Sequence, residues 1–273
     1  MIIKTLVENT SLSDDFRFEH GLSFYIEVQN HKMLFDVGAS DLFLENANKM
    51  GVDIADVDMF FLSHGHYDHG GGLKYFLDKN KKAKLFIHEK AFEPHYADHQ
   101  KNKLDYIGLD ETLKNNDRIT FTKNGFNIDE NLNILADVPQ IKLSPKSNKS
   151  LFMEQNGQKI NDTFIHEQNL VIKDNGKTIL ITGCAHNGIV NILEHFNSTN
   201  GHMPDIVIGG FHLSSRSGTC ESNEDLDKIA EYLIRTNAKF YTCHCTGIEA
   251  YARLKNKMGR SVDYLSVSSQ LTI

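Results

Sequence analysis

Residues 64 to 69 read His-Gly-His-Tyr-Asp-His and follow directly on the apolar run Met59-Phe60-Phe61-Leu62. Packing does not require such a density of imidazole and carboxylate after a buried segment, so the stretch reads as half of a metal site. Neutral imidazole and carboxylate together suit borderline ions such as zinc. Side chains on a strand alternate with period two, so if the extended geometry of residues 57 to 63 persists, His64 and His66 point to one side and bind one ion. Asp68 and His69 then face a second. Two ions about 3.5 to 4 Å apart can share a hydroxide nucleophile, which marks the chain as a metalloenzyme. Glycines 70 to 72 allow a tight turn before a helix carrying Leu73, Tyr75, Phe76 and Leu77.

A chain of 273 residues is long enough for one large domain or two small ones. Its 40% apolar and 24% charged residues are those of a globular protein with a core to bury. The net charge of −7 argues against nucleic acid or an anionic membrane as partner. No window approaches the roughly 18 continuous apolar residues of a membrane span. The opening Met-Ile-Ile-Lys-Thr-Leu-Val-Glu lacks the features of a secretory signal, so a cytoplasmic location is the default expectation. Cys184, Cys220, Cys243 and Cys245 are not spaced as a small disulfide scaffold. Cys184 and the Cys243/Cys245 pair flank histidines at the ends of apolar runs, where a metal or redox role competes with that of an ordinary buried thiol.

Along the chain, residues 22 to 38 read as a hairpin around the polar turn Gln29 to Lys32, and residues 40 to 50 as a helix capped by Ser40 or Asp41 and stopped by Gly51. The pattern that delivers His64 then recurs. The run 178 to 182 ends in Gly183-Cys184-Ala185-His186-Asn187-Gly188 and a helix; 205 to 208 ends in Gly209-Gly210-Phe211-His212; 239 to 242 ends in Cys243-His244-Cys245 and a helix from Ile248. Four strands thus carry histidines at their carboxyl ends, the rim where open α/β sheets bind ligands. Helix amino termini after Gly70 and Gly188 bring partial positive charge to it. Between 89 and 165 the pattern weakens, with His95 and His99 in a polar stretch and Pro139, Pro145 and Gly157 breaking later runs. This region reads as an insertion or lid.

His64, His66, Asp68 and His69 meet the His-x-His-x-Asp-His signature, and with the strand ending Asp36-Val37-Gly38 the chain resembles the metallo-β-lactamase-fold superfamily. The segments Gly-Cys-Ala-His-Asn-Gly-Ile, Gly-Gly-Phe-His-Leu and His-Cys-Thr-Gly are similar to its branch around the methanogen dihydropterin ribofuranosyl-aminobenzene phosphate synthase. The resemblance implies an α/β protein, an αββα sandwich of two mixed β-sheets flanked by helices, with residues 1 to 273 as a single domain and the lid or insertion within 89 to 165. It implies a divalent-metal cofactor, two zinc ions with iron or manganese as alternatives, held by His64, His66, Asp68, His69, Cys184, His186 and His244. The family's Gly-Asp bridging turn is replaced here by Gly183-Cys184, so Cys184 becomes a candidate thiolate ligand. His186 or His166 completes the first ion, and Asp36 is an acceptor that fixes a ligand histidine.

The leading functional expectation is a metal-dependent hydrolase that directs a metal-bound hydroxide at a small substrate, with phosphorylated molecules among the candidates. Asp68 and His212 are the candidate catalytic residues, His212 orienting substrate or protonating a leaving group. Two alternatives stay open: a transferase like the pterin and aminobenzene ribosyl phosphate synthase, and a low-turnover metal-binding or redox-sensing protein in which Cys184 titrates with oxidant. The expected partner is a small molecule. The sequence leaves the oligomeric state open.

Overall fold

The structure, a computed structural model, describes residues 1 to 98, 103 to 215 and 220 to 273. His99 lies outside the described residues. The chain divides into two compact units interleaved in sequence: Met1–Glu93, Ile107–Lys123 and Leu265–Ile273 form the first, Pro94–Tyr106 and Asn124–Tyr264 the second.

The first unit is built on a seven-stranded mixed sheet in the lateral order Gln270–Thr272, Ile2–Val7, Ser23–Val28, His31–Phe35, Met59–Phe61, Lys84–His88 and Ile119–Thr122. The first four are joined antiparallel, and His31–Phe35 through Ile119–Thr122 run parallel. The carboxyl ends of those parallel strands therefore lie along one edge, where Asp36 and Ser63 begin the loops that leave them. The expected hairpin forms with a tighter turn than anticipated, because Gln29 takes a left-handed φ of 54° and only Gln29 and Asn30 separate the strands. The helix Leu42–Lys49 starts where Ser40 Oγ accepts the Leu42 N–H, and Gly51 follows it at φ 68°. Phe43, Phe60, Phe76 and Leu85 share one buried cluster, Phe60 and Phe76 with ring centroids 5.1 Å apart. Fully burying such side chains contributes about 1.5 to 3 kcal/mol each.

Two local expectations are corrected. The strand anticipated over 57 to 63 is only Met59–Phe61, since Leu62 makes one more bond to Phe86 O and the chain then leaves the sheet. Asp68 and His69 lie within a helical turn, Tyr67–Gly70, ahead of the separate helix Leu73–Lys79. Glycine is required between them: a Cβ on Gly71 would stand 2.4 Å from Tyr67 O and 2.5 Å from Ala39 O, and one on Gly72 2.5 Å from both Ser40 O and Val37 O.

The second unit holds a seven-stranded mixed sheet in the order Val262–Tyr264, Lys239–Thr242, Ile206–Gly209, Lys177–Ile181, Gln168–Asp174, Leu132–Ala136 and Phe126–Asn127. Its first four strands are parallel. The helices Ile189–Asn200, Asn223–Arg235 and Ile248–Met258 pack through Leu193, Phe196, Ile229, Leu233 and Leu254 into one buried cluster with Leu180, Val207 and Phe240 of those strands. A four-stranded antiparallel sheet, Gln158–Asn161, Leu151–Gln155, His95–Asp98 and Leu104–Tyr106, belongs to the same unit. The stretch 89 to 165 is therefore divided: Ile119–Thr122 completes the first unit's sheet, while residues 94 to 106 and 124 to 165 belong to the second. No helix among the described residues is long and apolar enough to cross a membrane.

Asp227 ties two of the helices together. Arg253 donates to both its oxygens, at 2.7 and 2.8 Å, and Lys257 Nζ stands 3.0 Å away. Hydrogen bonds from Arg253 and then Lys257 lower its pKa to about 2. A carboxylate whose pKa is depressed on folding stabilises above the unfolded value and loses that contribution as pH falls through the folded one. Acid melts of wild type and Asp227→Asn are accordingly expected to differ above pH 4 and to converge toward pH 2. The same separation at both pH values would refute the assignment.

Candidate functional site

In the first unit the parallel strands deliver Asp36 and Ser63 side by side. Asp36 is fully buried with φ 58°, and its oxygens accept Ser63 N–H at 2.7 Å, Ser63 Oγ–H at 2.7 Å and His69 Nδ1–H at 2.6 Å. Burial pushes the Asp36 carboxyl upward, while His69 and the Ser63 hydrogen bonds pull it back toward the ionised form. The Ser63 hydroxyl has a single proton and gives it to Asp36, so its contact of 2.8 Å with His64 Nδ1 requires that nitrogen to be the donor. The network thereby assigns one tautomer to both rings: His64 and His69 carry their protons on Nδ1 and present Nε2 as the ligand atom.

The other members of the motif gather on the same rings. The His64 ring centroid lies 4.6 Å from that of His66 and 4.2 Å from that of His69. His69 Nε2 is 3.8 Å from Asp68 Oδ2, which His20 Nε2 approaches to 3.2 Å. His64, His66, Asp68 and His69 are all buried. Oriented imidazoles beside carboxylate oxygen are the donor chemistry of zinc, iron or manganese, and the residues fit such an ion. His20 was missed by sequence reasoning because it stands in an irregular segment far from the motif.

In the second unit three adjacent parallel strands end in Cys184 and His186, in His212, and in His244. Ligand-type atoms of Cys184, His186 and His212 lie within 4.8 Å of one another, as do those of Cys184, His244 and Cys245. The structure thus gathers Cys184, His186, His212 and His244 but not His166, and of the Cys243/Cys245 pair it brings Cys245 to them. His212 takes φ 49° and its ring centroid is 4.1 Å from that of His186, among the ligand-type atoms and not merely beside them. The His212 N–H donates to Cys245 Sγ at 3.3 Å, and a Cβ on Gly210 would meet that sulfur at 2.5 Å.

Glu167 holds the loop that carries Cys184 and His186. Its buried carboxylate accepts the N–H of His186 at 2.5 Å, the N–H of Asn187 at 2.9 Å and Asn187 Nδ2 at 2.7 Å. Asn148 Nδ2 donates to the His186 backbone carbonyl at 2.7 Å, Asn148 Oδ1 lies 3.2 Å from His186 Nδ1, and Phe164 stacks on the ring at 4.5 Å and 3°. Sequence reasoning missed Glu167, whose signal was only a charged residue opening an apolar strand. It also passed over Asp162 and His95: Asp162 Oδ2 stands 2.9 Å from His95 Nδ1 and 3.2 Å from His166 Nε2, with the two rings 4.0 Å apart.

A sequence model of the metallo-beta-lactamase superfamily matches residues 17–143. The chain belongs to the metallo-beta-lactamase superfamily and has its mixed α/β fold. It is 30% identical to the uncharacterized protein MJ0448 of Methanocaldococcus jannaschii, over 93% of this chain and 93% of that one. It is 29% identical to the 7,8-dihydropterin-6-methyl-4-(beta-D-ribofuranosyl)-aminobenzene-5'-phosphate synthase of the same organism, over 91% of this chain and 88% of the synthase. Among solved structures, Tm1679, described as a metal-dependent hydrolase of the beta-lactamase superfamily, superposes with a TM-score of 0.85 at 30% identity, covering 100% of this chain and 99% of its own.

Proposed function

We propose that the protein is a metal-dependent hydrolase acting on a small substrate, with phosphate-bearing molecules as the first class to try. The observation that carries the reading is the Asp36, Ser63, His64 and His69 network, which fixes two buried imidazoles in the ligand tautomer. His64, His66, Asp68 and His69 of the first unit, and Cys184, His186 and His244 of the second, are the proposed ligands of zinc, iron or manganese. When bound, such ions supply Lewis acidity and a water acidic enough to serve as nucleophile near neutral pH.

The chain's own residues have distinct tasks. Asp68, whose Oδ2 lies 3.2 Å from His20 Nε2, accepts and holds a proton from the attacking water. His212 stands close to His186 and orients substrate or returns a proton to the leaving group. The helix Ile189–Asn200 begins directly after the His186 loop, and its amino terminus favours an anionic substrate group.

The 29% identity to the synthase favours a second reading, transfer between a pterin and a phosphorylated arylamine. Product analysis separates the two. Protein stripped with chelator and reloaded with zinc, manganese or iron is offered phosphomonoesters, phosphodiesters and carboxylic esters beside an aminobenzene ribosyl phosphate with a dihydropterin whose 6-methyl carbon carries a phosphate or diphosphate leaving group, which departs as the amine bonds to that carbon and gives up its proton. The hydrolase reading expects turnover of one ester class that chelator abolishes and His66→Ala reduces at least about 100-fold, equivalent to roughly 2.7 kcal/mol of transition-state stabilisation. Condensation of the pterin pair with no ester turnover would replace it by the synthase reading.

A further inference from the structure

His95, Asp162 and His166 are given no task above. We propose that these three side chains bind a divalent cation of the zinc type, at a site additional to the Cys184, His186 and His244 donors.

The size of the cradle is the first argument. In a tetrahedral zinc site with ligands at about 2.0 to 2.1 Å, neighbouring donor atoms stand about 3.3 Å apart. Asp162 Oδ2 lies 2.9 Å from His95 Nδ1 and 3.2 Å from His166 Nε2, and each of the three residues has a ligand-type atom within 4.8 Å of those of the other two. Two edges of the coordination polyhedron are thus already close to their final length. On loading, each imidazole coordinates in its neutral form, with its proton on the other ring nitrogen.

Charge and burial are the second argument. The side chains of His95, Asp162 and His166 are wholly removed from solvent. A carboxylate shared by two neutral imidazoles is a net negative charge in the interior, and such charges are offset by a cation or by protonation of a partner. Two nitrogens and one carboxylate oxygen are a donor set for zinc, cobalt, iron or manganese, with a position left for water or another ligand.

The framework is the third argument. His95 sits in the strand His95–Asp98 opposite Met153 of Leu151–Gln155. Asp162 is anchored by its own N–H to Leu151 O at 3.0 Å and by its second oxygen, which accepts the Phe164 N–H at 2.7 Å. Phe164, at φ 53°, has its ring 6.1 Å from that of His166 and stacks on that of His186. His95 and Asp162 are therefore held by backbone hydrogen bonds, as pre-organised metal sites require.

The test uses the whole chain stripped with chelator and titrated with cobalt(II), following bound metal per chain by elemental analysis and the visible cobalt spectrum. Asp162→Asn and His95→Gln are each expected to lose one equivalent of metal or bind it at least 10-fold more weakly, while keeping the cobalt-thiolate absorption that Cys184→Ser removes. Loss of that equivalent with no effect of Cys184→Ser would support this site and overturn the ligand role proposed for Cys184. If either Asp162→Asn or His95→Gln, folded by circular dichroism, binds as many ions as wild type and as tightly, the trio is a hydrogen-bonded structural cluster and the proposal falls. Wild-type protein that takes up no ion sensitive to these side chains overturns it equally.

Discussion

Asp36→Ala is expected to lower the stability of the fold by about 3 to 5 kcal/mol, the range for breaking a buried ionic and hydrogen-bonded group by removing one partner. Three donors converge on that carboxylate, Ser63 N–H, Ser63 Oγ–H and His69 Nδ1–H, and the deletion leaves all of them in a dry interior. Asp36→Asn separates the chemical role from the structural one. Its carbonyl still accepts from Ser63, but an amide facing His69 Nδ1 donates where the carboxylate accepted. The His69 ring is then driven to carry its proton on Nε2, the atom needed for a ligand. Metal affinity is expected to fall about 10- to 100-fold in Asp36→Asn while most of the stability remains, by analogy with other residues that orient ligand histidines. Urea melts and competitive titration with a chelating dye measure the two effects independently. Wild-type affinity in Asp36→Asn would refute the tautomer assignment.

Glu167→Ala is expected to have a comparable effect on the second unit. Hydrogen bonds to a charged acceptor contribute about 1.5 to 3 kcal/mol each, and Glu167 accepts three of them from His186 and Asn187. They are not additive, and a loss of about 3 to 5 kcal/mol is the expected outcome. The loop they secure has Ala185 at φ 59°, a left-handed conformation that a residue with a Cβ keeps only while its surroundings impose it. Without Glu167 the backbone of residues 184 to 188 should relax and take the Cys184 and His186 side chains with it. Amide hydrogen exchange at His186 and Asn187 is the direct check. Protection equal to wild type there, in a variant that remains folded, would show that the loop holds itself.

The parts legible in the sequence were those that obey a local rule. The motif from His64 to His69 names its own chemistry, and the strand-then-histidine pattern before Cys184, His212 and His244 survives because parallel strands leave their loops on one edge. The interleaving of the units was not legible. Nothing in the weak pattern after Glu89 tells Ile119–Thr122 to pair with Lys84–His88 while its flanking segments join other sheets. Asp162 and His95 were equally obscure, lying 67 positions apart and meeting only through sheet pairing. Nor does the sequence reveal that Asp36, Ala185, His212 and His244 all adopt left-handed φ values, between 49° and 59°. None of them is glycine, and a conformation costing roughly 1 to 3 kcal/mol per residue leaves no trace in hydrophobic pattern.

The outermost strand of the first sheet, Gln270–Thr272, pairs with Ile2–Val7, the earliest strand of the chain. On a ribosome adding about 5 to 20 residues per second, the amino-terminal strand waits roughly 15 to 50 s for that neighbour. Throughout that interval the nascent protein carries a row of unsatisfied backbone donors and acceptors, a template for pairing with other chains. Pairing with Gln270–Thr272 closes that side of Ile2–Val7 to other chains.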